Sequence, residues 1–495
     1  MRDFLISLDR SSNKSLQAQL REVLVSAILA GHLRPGDKLP STRHLSEQLG
    51  ISRNTSVLVY QGLTDDGYLR TYERSGYFVN ETVLEMGIHN SAEPLNPSDG
   101  SDAQAVVWEN RFTKKPARQH NIRKASNWRE MPYPFIYGQP DRSLFPITDW
   151  RDCVYKAMGK KWLDEWSQDT LDNDDPMLVE QIRTRILPRR GILAGEKQIL
   201  VTLGAQQSLY MLASLLVGSK TKVVVEEPGY PDARNIFALR TKGIVPVQVD
   251  EDGLPVGDEL NGADILYTTP SHQFPTTVTM PTERRRALLK KAREEDFVII
   301  EDDYELETNY VGKPLPALKS FDQDGRVIYV GSFSKTLFPG LRLGFVVASE
   351  ELIEELRALR RLMVRHPPTN NQRSSAFFLS LGYYDVFVRK LHRAYRERWN
   401  AMGQGIEEHF PEAIITRGMG GSSYWVRLPK ESGVDTDVLA ERALTEGIFI
   451  EPGSIYFNDM SDKCCFRLGF SSIDEEKINP GLRLLAALAR EVANK

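Results

Sequence analysis

The stretch Ser332-Phe333-Ser334-Lys335-Thr336-Leu337-Phe338-Pro339-Gly340-Leu341-Arg342-Leu343-Gly344 decides how this chain is read. It sets a lysine directly after two hydroxyl residues and an arginine beyond it, before a Gly/Pro turn closes. A lysine in that setting can form a Schiff base with a phosphorylated aldehyde. Its amine is the nucleophile, and desolvation among other cations keeps part of it neutral. The hydroxyls of Ser332 and Ser334 and the planar, multi-donor head of Arg342 suit a phosphate.

Outward from this stretch, short apolar runs alternate with helical segments. Gln198–Thr202, Lys222–Glu226, Ile265–Thr268, Phe297–Glu301 and Val327–Val330 read as strands of a mostly parallel α/β sheet. Chemistry-bearing residues follow these runs, at the strand ends where ligands of such sheets converge. Gly204-Ala205-Gln206 follows the first and opens a helix, so its backbone N–H groups can grip a phosphate or simply make a turn. Tyr230, after the second, can lie against an aromatic ring or serve the core. Asp302, in Glu301-Asp302-Asp303-Tyr304, can pair with a protonated pyridine nitrogen, cap a strand or hold a metal. In this order the pieces fit a pyridoxal 5'-phosphate site. Beyond residue 350 the pattern becomes a long helical region and then a smaller α+β piece.

The chain has 495 residues, 41% hydrophobic and 26% charged, with net charge −4. That length exceeds what one hydrophobic core serves, so two domains are expected. It has no apolar run long enough to span a membrane and no secretory signal, and its three cysteines lack metal-ligand or disulfide-framework spacing. A cytoplasmic protein, with no membrane partner and no metal, is expected.

Residues 12–80 predict a compact unit. Leu16, Leu20, Val23, Leu24 and Ile28 recur at helical spacing. A second helix opens at Ser41, and a third follows the Gly50-Ile51-Ser52 turn, burying Val57, Tyr60 and Leu63. A hairpin turns around Ser75-Gly76. This is the layout of a winged helix-turn-helix, or of a small three-helix protein-interaction domain. In the first case Arg53, Asn54 and Thr55, behind the cap Ser52, reach base edges or phosphates of double-stranded DNA. Ser41 and Arg43 suit the backbone, and Arg74 and Gly76 fall on the wing. Residues 81–130, Ser/Asn/Pro-rich and then basic from Arg111 to Arg129, read as a linker, leaving 131–495 as the second domain.

Gly31-His32-Leu33-Arg34-Pro35-Gly36-Asp37-Lys38-Leu39-Pro40-Ser41-Thr42-Arg43, with Leu49–Thr55 and Gly67-Tyr68-Leu69, resembles the GntR-type DNA-binding domain. The departure is Ser56, where a small aliphatic residue is usual. Residues 134–490 resemble the fold-type I aminotransferases. That resemblance implies a large subdomain with a mostly parallel sheet, a small α+β subdomain, and Lys335 as the internal aldimine. It also implies Asp302 on the pyridine nitrogen, Tyr304 on the phenolic oxygen, and Tyr230 stacked on the ring. Gly204, Ala205, Gln206, Ser332, Ser334 and Arg342 would surround the phosphate, and Arg467 would bind the effector carboxylate. Ser271-His272-Gln273-Phe274-Pro275 departs from the usual Asn-Pro-Thr-Gly, leaving His272 or Gln273 to replace the asparagine. Asn173 stands where a tyrosine is often donated to the neighbouring subunit.

Together the two parts resemble the MocR (GabR-like) regulators. That resemblance implies a domain-swapped homodimer reading an operator with repeated half-sites. It implies an amine or amino-acid effector sensed as an external aldimine, without physiological turnover. Candidates in the group include γ-aminobutyrate, taurine, diaminobutyrate derivatives, D-alanyl-D-alanine and pyridoxal phosphate itself. The alternatives are a genuine aminotransferase carrying a DNA-binding head, or a sensor of the cofactor alone. Asp232 suggests a second cationic amine on the effector.

Overall fold

The computed structural model describes residues 8–10, 12, 14–72, 75–82, 106–305, 307–416 and 418–493. The chain divides into two units, 1–111 and 112–495.

The N-terminal unit has helices α1 (Leu16–Leu29), α2 (Thr42–Leu49) and α3 (Arg53–Asp65), then strands β1 (Leu69–Tyr72) and β2 (Gly76–Val79). Each helix starts on a serine whose hydroxyl accepts a first-turn N–H: Ser15 from Ala18, Ser41 from His44, Ser52 from Thr55. Gly50 ends α2 at φ 62°, a conformation only glycine takes cheaply, and so sets the tight turn into α3. Leu20, Leu24, Ile28, Leu45, Val59, Tyr60 and Leu63 close one core with Leu39, Leu69 and Val79. Val59, rather than the expected Val57, is the fully buried valine of α3, because the inward stripe passes through Ser56, Val59, Tyr60 and Leu63.

Ser56 sits on that stripe, 0% exposed, and its hydroxyl has no hydrogen-bond partner. A buried unsatisfied hydroxyl costs more than the methyl that could replace it. Ser56→Ala should therefore stabilise the unit by about 1 kcal/mol, raising its melting step by about 5 °C in calorimetry of the full chain.

The second unit is built on a seven-stranded sheet of β4 (Ile199–Thr202), β5 (Val223–Glu227), β6 (Ile244–Gln248), β7 (Ile265–Thr268), β8 (Val298–Asp303), β9 (Val327–Ser332) and β10 (Gly344–Val347). A short strand, β3 (Tyr133–Pro134), precedes them in sequence. The spatial order is β4-β10-β9-β8-β7-β5-β6, and β10 alone runs antiparallel to its neighbours. Both faces are covered. Val223 and Val225 enter one apolar cluster and Val224 another, which explains the unbroken apolar runs in the sequence.

A smaller antiparallel sheet follows, ordered β11-β12-β15-β14. Its strands are β11 (Ile414–Ile415), β12 (Ser423–Arg427), β14 (Glu451–Pro452) and β15 (Cys465–Gly469); β13 (Ile448–Phe449) pairs instead with β3. Among the described residues no helix is long and apolar enough to cross a membrane.

The second unit begins earlier than position 131. Lys114 and Gln119 donate to the carbonyls of Leu239 and Asn235 at the C-terminal end of the helix Pro231–Ala238. Asn235 Nδ2 donates back to His120 O at 2.8 Å. Carbonyls at a helix end thereby gain a cation and an amide as partners. Residues 112–124 are thus a strap on the second unit, while 83–105 of the expected linker lie outside the described residues.

Candidate functional site

On the N-terminal unit, the start of α3 carries the exposed Arg53 and Asn54. Ser52 and Thr55 are committed to each other, their hydroxyls 2.8 Å apart, with Ser52 also capping the helix. Ser41 caps α2, and the exposed Arg43 forms an i,i+4 pair with Glu47 at 3.0 Å. Gly76, at φ 105°, opens β2 opposite Tyr72. Arg74 lies outside the described residues. Exposed donors at a helix N-terminus form a surface suited to DNA.

In the second unit, the C-terminal ends of β4, β5, β7, β8 and β9 converge on a cavity of about 260 Å³. Ala205, Gln206, Tyr230, Asp302, Tyr304, Ser332, Ser334, Lys335 and Arg342, all singled out in the sequence, line it. Gly204 lies just behind, at φ 90°, where a Cβ would stand 3.3 Å from Arg342 Nη2. Arg342, itself at φ 52°, donates to Leu203 O at 2.7 Å, which fixes its head beside the start of the helix Ala205–Leu216. Helix N–H groups, two serines and a guanidinium therefore face one corner of the cavity. They can hold a phosphate.

Asp302 lies near the end of β8 beside Tyr267, whose hydroxyl donates to Oδ2 at 2.9 Å. The other oxygen, Oδ1, is buried without a hydrogen-bond partner. Burial lifts this carboxyl to about 7, the Tyr267 hydrogen bond opposing it. An N–H cation placed against Oδ1 would restore the carboxylate, which is what a pyridine nitrogen needs in order to stay protonated. Tyr230 donates to Asp232 at 3.2 Å, and Gln206 donates to the same oxygen at 3.1 Å. Tyr304 donates to His272 O at 2.8 Å.

Lys335 stands at the centre, its Nζ 4.1 Å from the Tyr137 ring centroid. It crosses Gly138 so closely that a Cβ there would lie 2.3 Å from Nζ, with Lys124 Nζ only 3.7 Å from the same point. Desolvation first, then the Lys124 ammonium, lowers Lys335 to about 7, far below an ordinary lysine. The amine is therefore far more readily neutral near pH 7 than an ordinary lysine's and can act as a nucleophile. Its capture of pyridoxal phosphate should rise between pH 6 and 8 with a midpoint near 7. Lys124→Met, by removing one neighbouring charge, should move that midpoint upward, as borohydride trapping and mass measurement across a pH series would reveal.

The sequence reading missed Lys124, Tyr137, Tyr267 and Glu451, which all line the cavity. It also offered His272 or Gln273 in place of an asparagine on the cofactor oxygen, and neither lines the cavity. Gln273 Nε2 donates to Glu226, Pro228 O and Phe274 O, while its Oε1 accepts from Thr276. It is spent on holding its own loop. His272 is buried away from the cavity lining. Arg467 is fully buried behind Tyr137 and Phe274.

The donors around the cavity fit pyridoxal 5'-phosphate: a neutral lysine, an anion cradle, and an unpartnered carboxylate oxygen for the ring nitrogen. Comparison with known proteins agrees with this chemistry. Residues 170–485 match the family of class I and II aminotransferases, and residues 16–79 the gntR family of bacterial regulatory proteins. The structure resembles Pyrococcus horikoshii kynurenine aminotransferase with a TM-score of 0.69 and 29% identity, covering 77% of this chain and 98% of that one. A DNA-binding head on such a body defines a class of regulators with an enzyme-like second unit.

Along the whole chain, the HTH-type transcriptional regulator TauR of Rhodobacter capsulatus is 41% identical over 477 residues, 96% of this chain and 97% of its own. The probable rhizopine catabolism regulatory protein MocR of Rhizobium meliloti is 30% identical over 97% of this chain and 95% of its own. The chain belongs to the MocR-like branch of the GntR family, transcriptional regulators that carry an aminotransferase-like domain.

Proposed function

We propose that the second unit is a receptor for a primary-amine metabolite and that its occupancy sets the DNA affinity of the head. The observation that carries this reading is the Lys335 amine in the same cavity as the unpartnered oxygen of Asp302. When bound, pyridoxal phosphate supplies an aldehyde that condenses reversibly with primary amines, a chemistry that can report a ligand as well as transform it.

The chain's own residues then divide the work. The Ala205 and Gln206 N–H groups, Ser332, Ser334 and Arg342 would hold the phosphate, and Asp302 would keep the ring nitrogen protonated. Tyr230 would lie against the ring, and Tyr304 orients the loop at His272. Lys335 would be the chain's own amine at the cofactor's aldehyde. Acting as a homodimer on repeated half-sites, the protein would change DNA affinity only as far as the ligand binds one arrangement of the heads better than the other.

The test is titration of the cofactor-loaded protein with primary amines, following absorbance and operator binding together. Coupled changes in both support the receptor. Sustained amine consumption with an oxo acid as acceptor would instead make the protein an aminotransferase. A response to pyridoxal phosphate alone, with no further effect of any amine, would make the cofactor the signal.

A further inference from the structure

The small sheet places Glu451 of β14 and Trp425 of β12 in register with Arg467 of β15, in one row across the strands. Arg467 is 0% exposed. Its Nε donates to Ser423 Oγ at 2.9 Å, and its guanidinium carbon lies 3.2 Å from the Tyr137 ring centroid and 4.2 Å from that of Phe274. Neither Nη1 nor Nη2 has a hydrogen-bond partner.

Glu451 is nearly as buried, at 2% exposed, and lines the cavity. Its Oε2 accepts from the Tyr456 hydroxyl at 2.7 Å and lies 3.9 Å from Arg467 Nη1. Its Oε1 has no hydrogen-bond partner. Two buried, opposite charges thus stand side by side, each with capacity unmet: two nitrogens on the arginine and one oxygen on the glutamate. Buried polar groups left in that condition are costly, and a ligand that answers both is favoured over one that answers a single charge. A ligand bringing only an anion would approach Arg467 past a carboxylate that repels it.

We infer that this corner selects an effector with both a carboxylate, for Arg467, and a second N–H donor, a cationic amine, for Glu451. The effector class is then a diamino monocarboxylic acid, one amine reacting at the Lys335 position and the other held by Glu451. This inference rests on the receptor reading above. Asp232, which the sequence suggested for a second amine, already accepts from Tyr230 and Gln206 through one oxygen. Lys124, the other cation in the cavity, donates to Tyr137 O at 2.7 Å and makes no hydrogen bond to Glu451 Oε1.

The experiment titrates cofactor-loaded, full-length protein with 2,3-diaminopropionate, 2,4-diaminobutyrate and ornithine, and separately with 2-aminobutyrate, following absorbance. At least one diamino acid is expected to bind about tenfold or more tightly than 2-aminobutyrate, which brings no donor to the buried Glu451 Oε1. Glu451→Gln keeps an oxygen for Tyr456 but loses the charge. It should bring the two affinities together, while borohydride still traps pyridoxal phosphate on Lys335 in the variant. Equal affinities in the unaltered protein, or a preference that survives Glu451→Gln, overturn the assignment of the second amine while the receptor stands. A protein whose spectrum responds to no primary amine overturns the receptor and this assignment together.

Discussion

A Lys335→Ala variant should lose all borohydride-trapped attachment of pyridoxal phosphate and, with it, every amine-dependent change in operator affinity. The cavity offers two amines, and geometry chooses between them. Lys124 is held by the Tyr137 carbonyl, whereas Lys335 follows β9, beside the strand that carries Asp302. Lys335 is also the amine that burial and its neighbour bring to about 7. The variant keeps Ala205, Gln206, Ser332, Ser334 and Arg342, so non-covalent cofactor binding should persist more weakly, and basal DNA binding should be unchanged. Mass measurement after reduction decides the matter: attachment surviving in Lys335→Ala would transfer the role to Lys124.

Stability should show the same group from another side. A lysine whose folded pKa is lowered binds fewer protons in the native than in the unfolded state between about pH 7 and the ordinary lysine value. Stability of the cofactor-free protein therefore gains from Lys335 as pH rises through that window, and the full penalty applies below about 7. The gain is on the order of a few kcal/mol. Unfolding of the cofactor-free Lys335→Ala protein should have lost this component of the pH dependence.

The residues legible in the sequence are those whose chemistry is local. Lys335, Asp302 and the Gly204-Ala205-Gln206 turn each follow an apolar strand, and a strand end in a parallel sheet is a predictable place. Two strands of the seven-stranded sheet escaped, each for its own reason. β6 contains Pro246, which argues against a central strand, and it is tolerated because β6 is the edge of the sheet. β10 is only Gly344–Val347, short, and directly behind the lysine stretch.

The strap at 112–124 has no period because it packs through side-chain bonds to carbonyls rather than through an apolar face, so composition gave it the look of a linker. Glu451 carries no sequence signal of its own. Its meaning comes from a cross-strand register with Arg467 that closes over the 15-residue span between them only in three dimensions.

At the other end of the chain, Arg53→Ala should weaken operator binding by about 1–3 kcal/mol, a factor of roughly 5 to 150. Local bonds rank the side chains that open α2 and α3. Ser41 and Ser52 spend their hydroxyls on capping, and Thr55 is bonded to Ser52. Their loss would act through the fold as much as through DNA. Arg43 must leave Glu47 before it can reach a phosphate, so Arg43→Ala should cost less.

Arg53 is exposed in the first turn of α3, the end that enters the major groove in this architecture. Since it supports no core contact, its removal should leave the melting of the N-terminal unit unchanged. Binding to a duplex selected from random sequence, compared with binding to unrelated DNA, separates the two ways Arg53 can act. A base-reading arginine loses affinity for the selected duplex and little for the other. A phosphate-binding one weakens both alike and lowers the salt dependence by about one charge. The groove-facing position predicts the first pattern, and an unchanged affinity for the selected duplex would remove Arg53 from the interface.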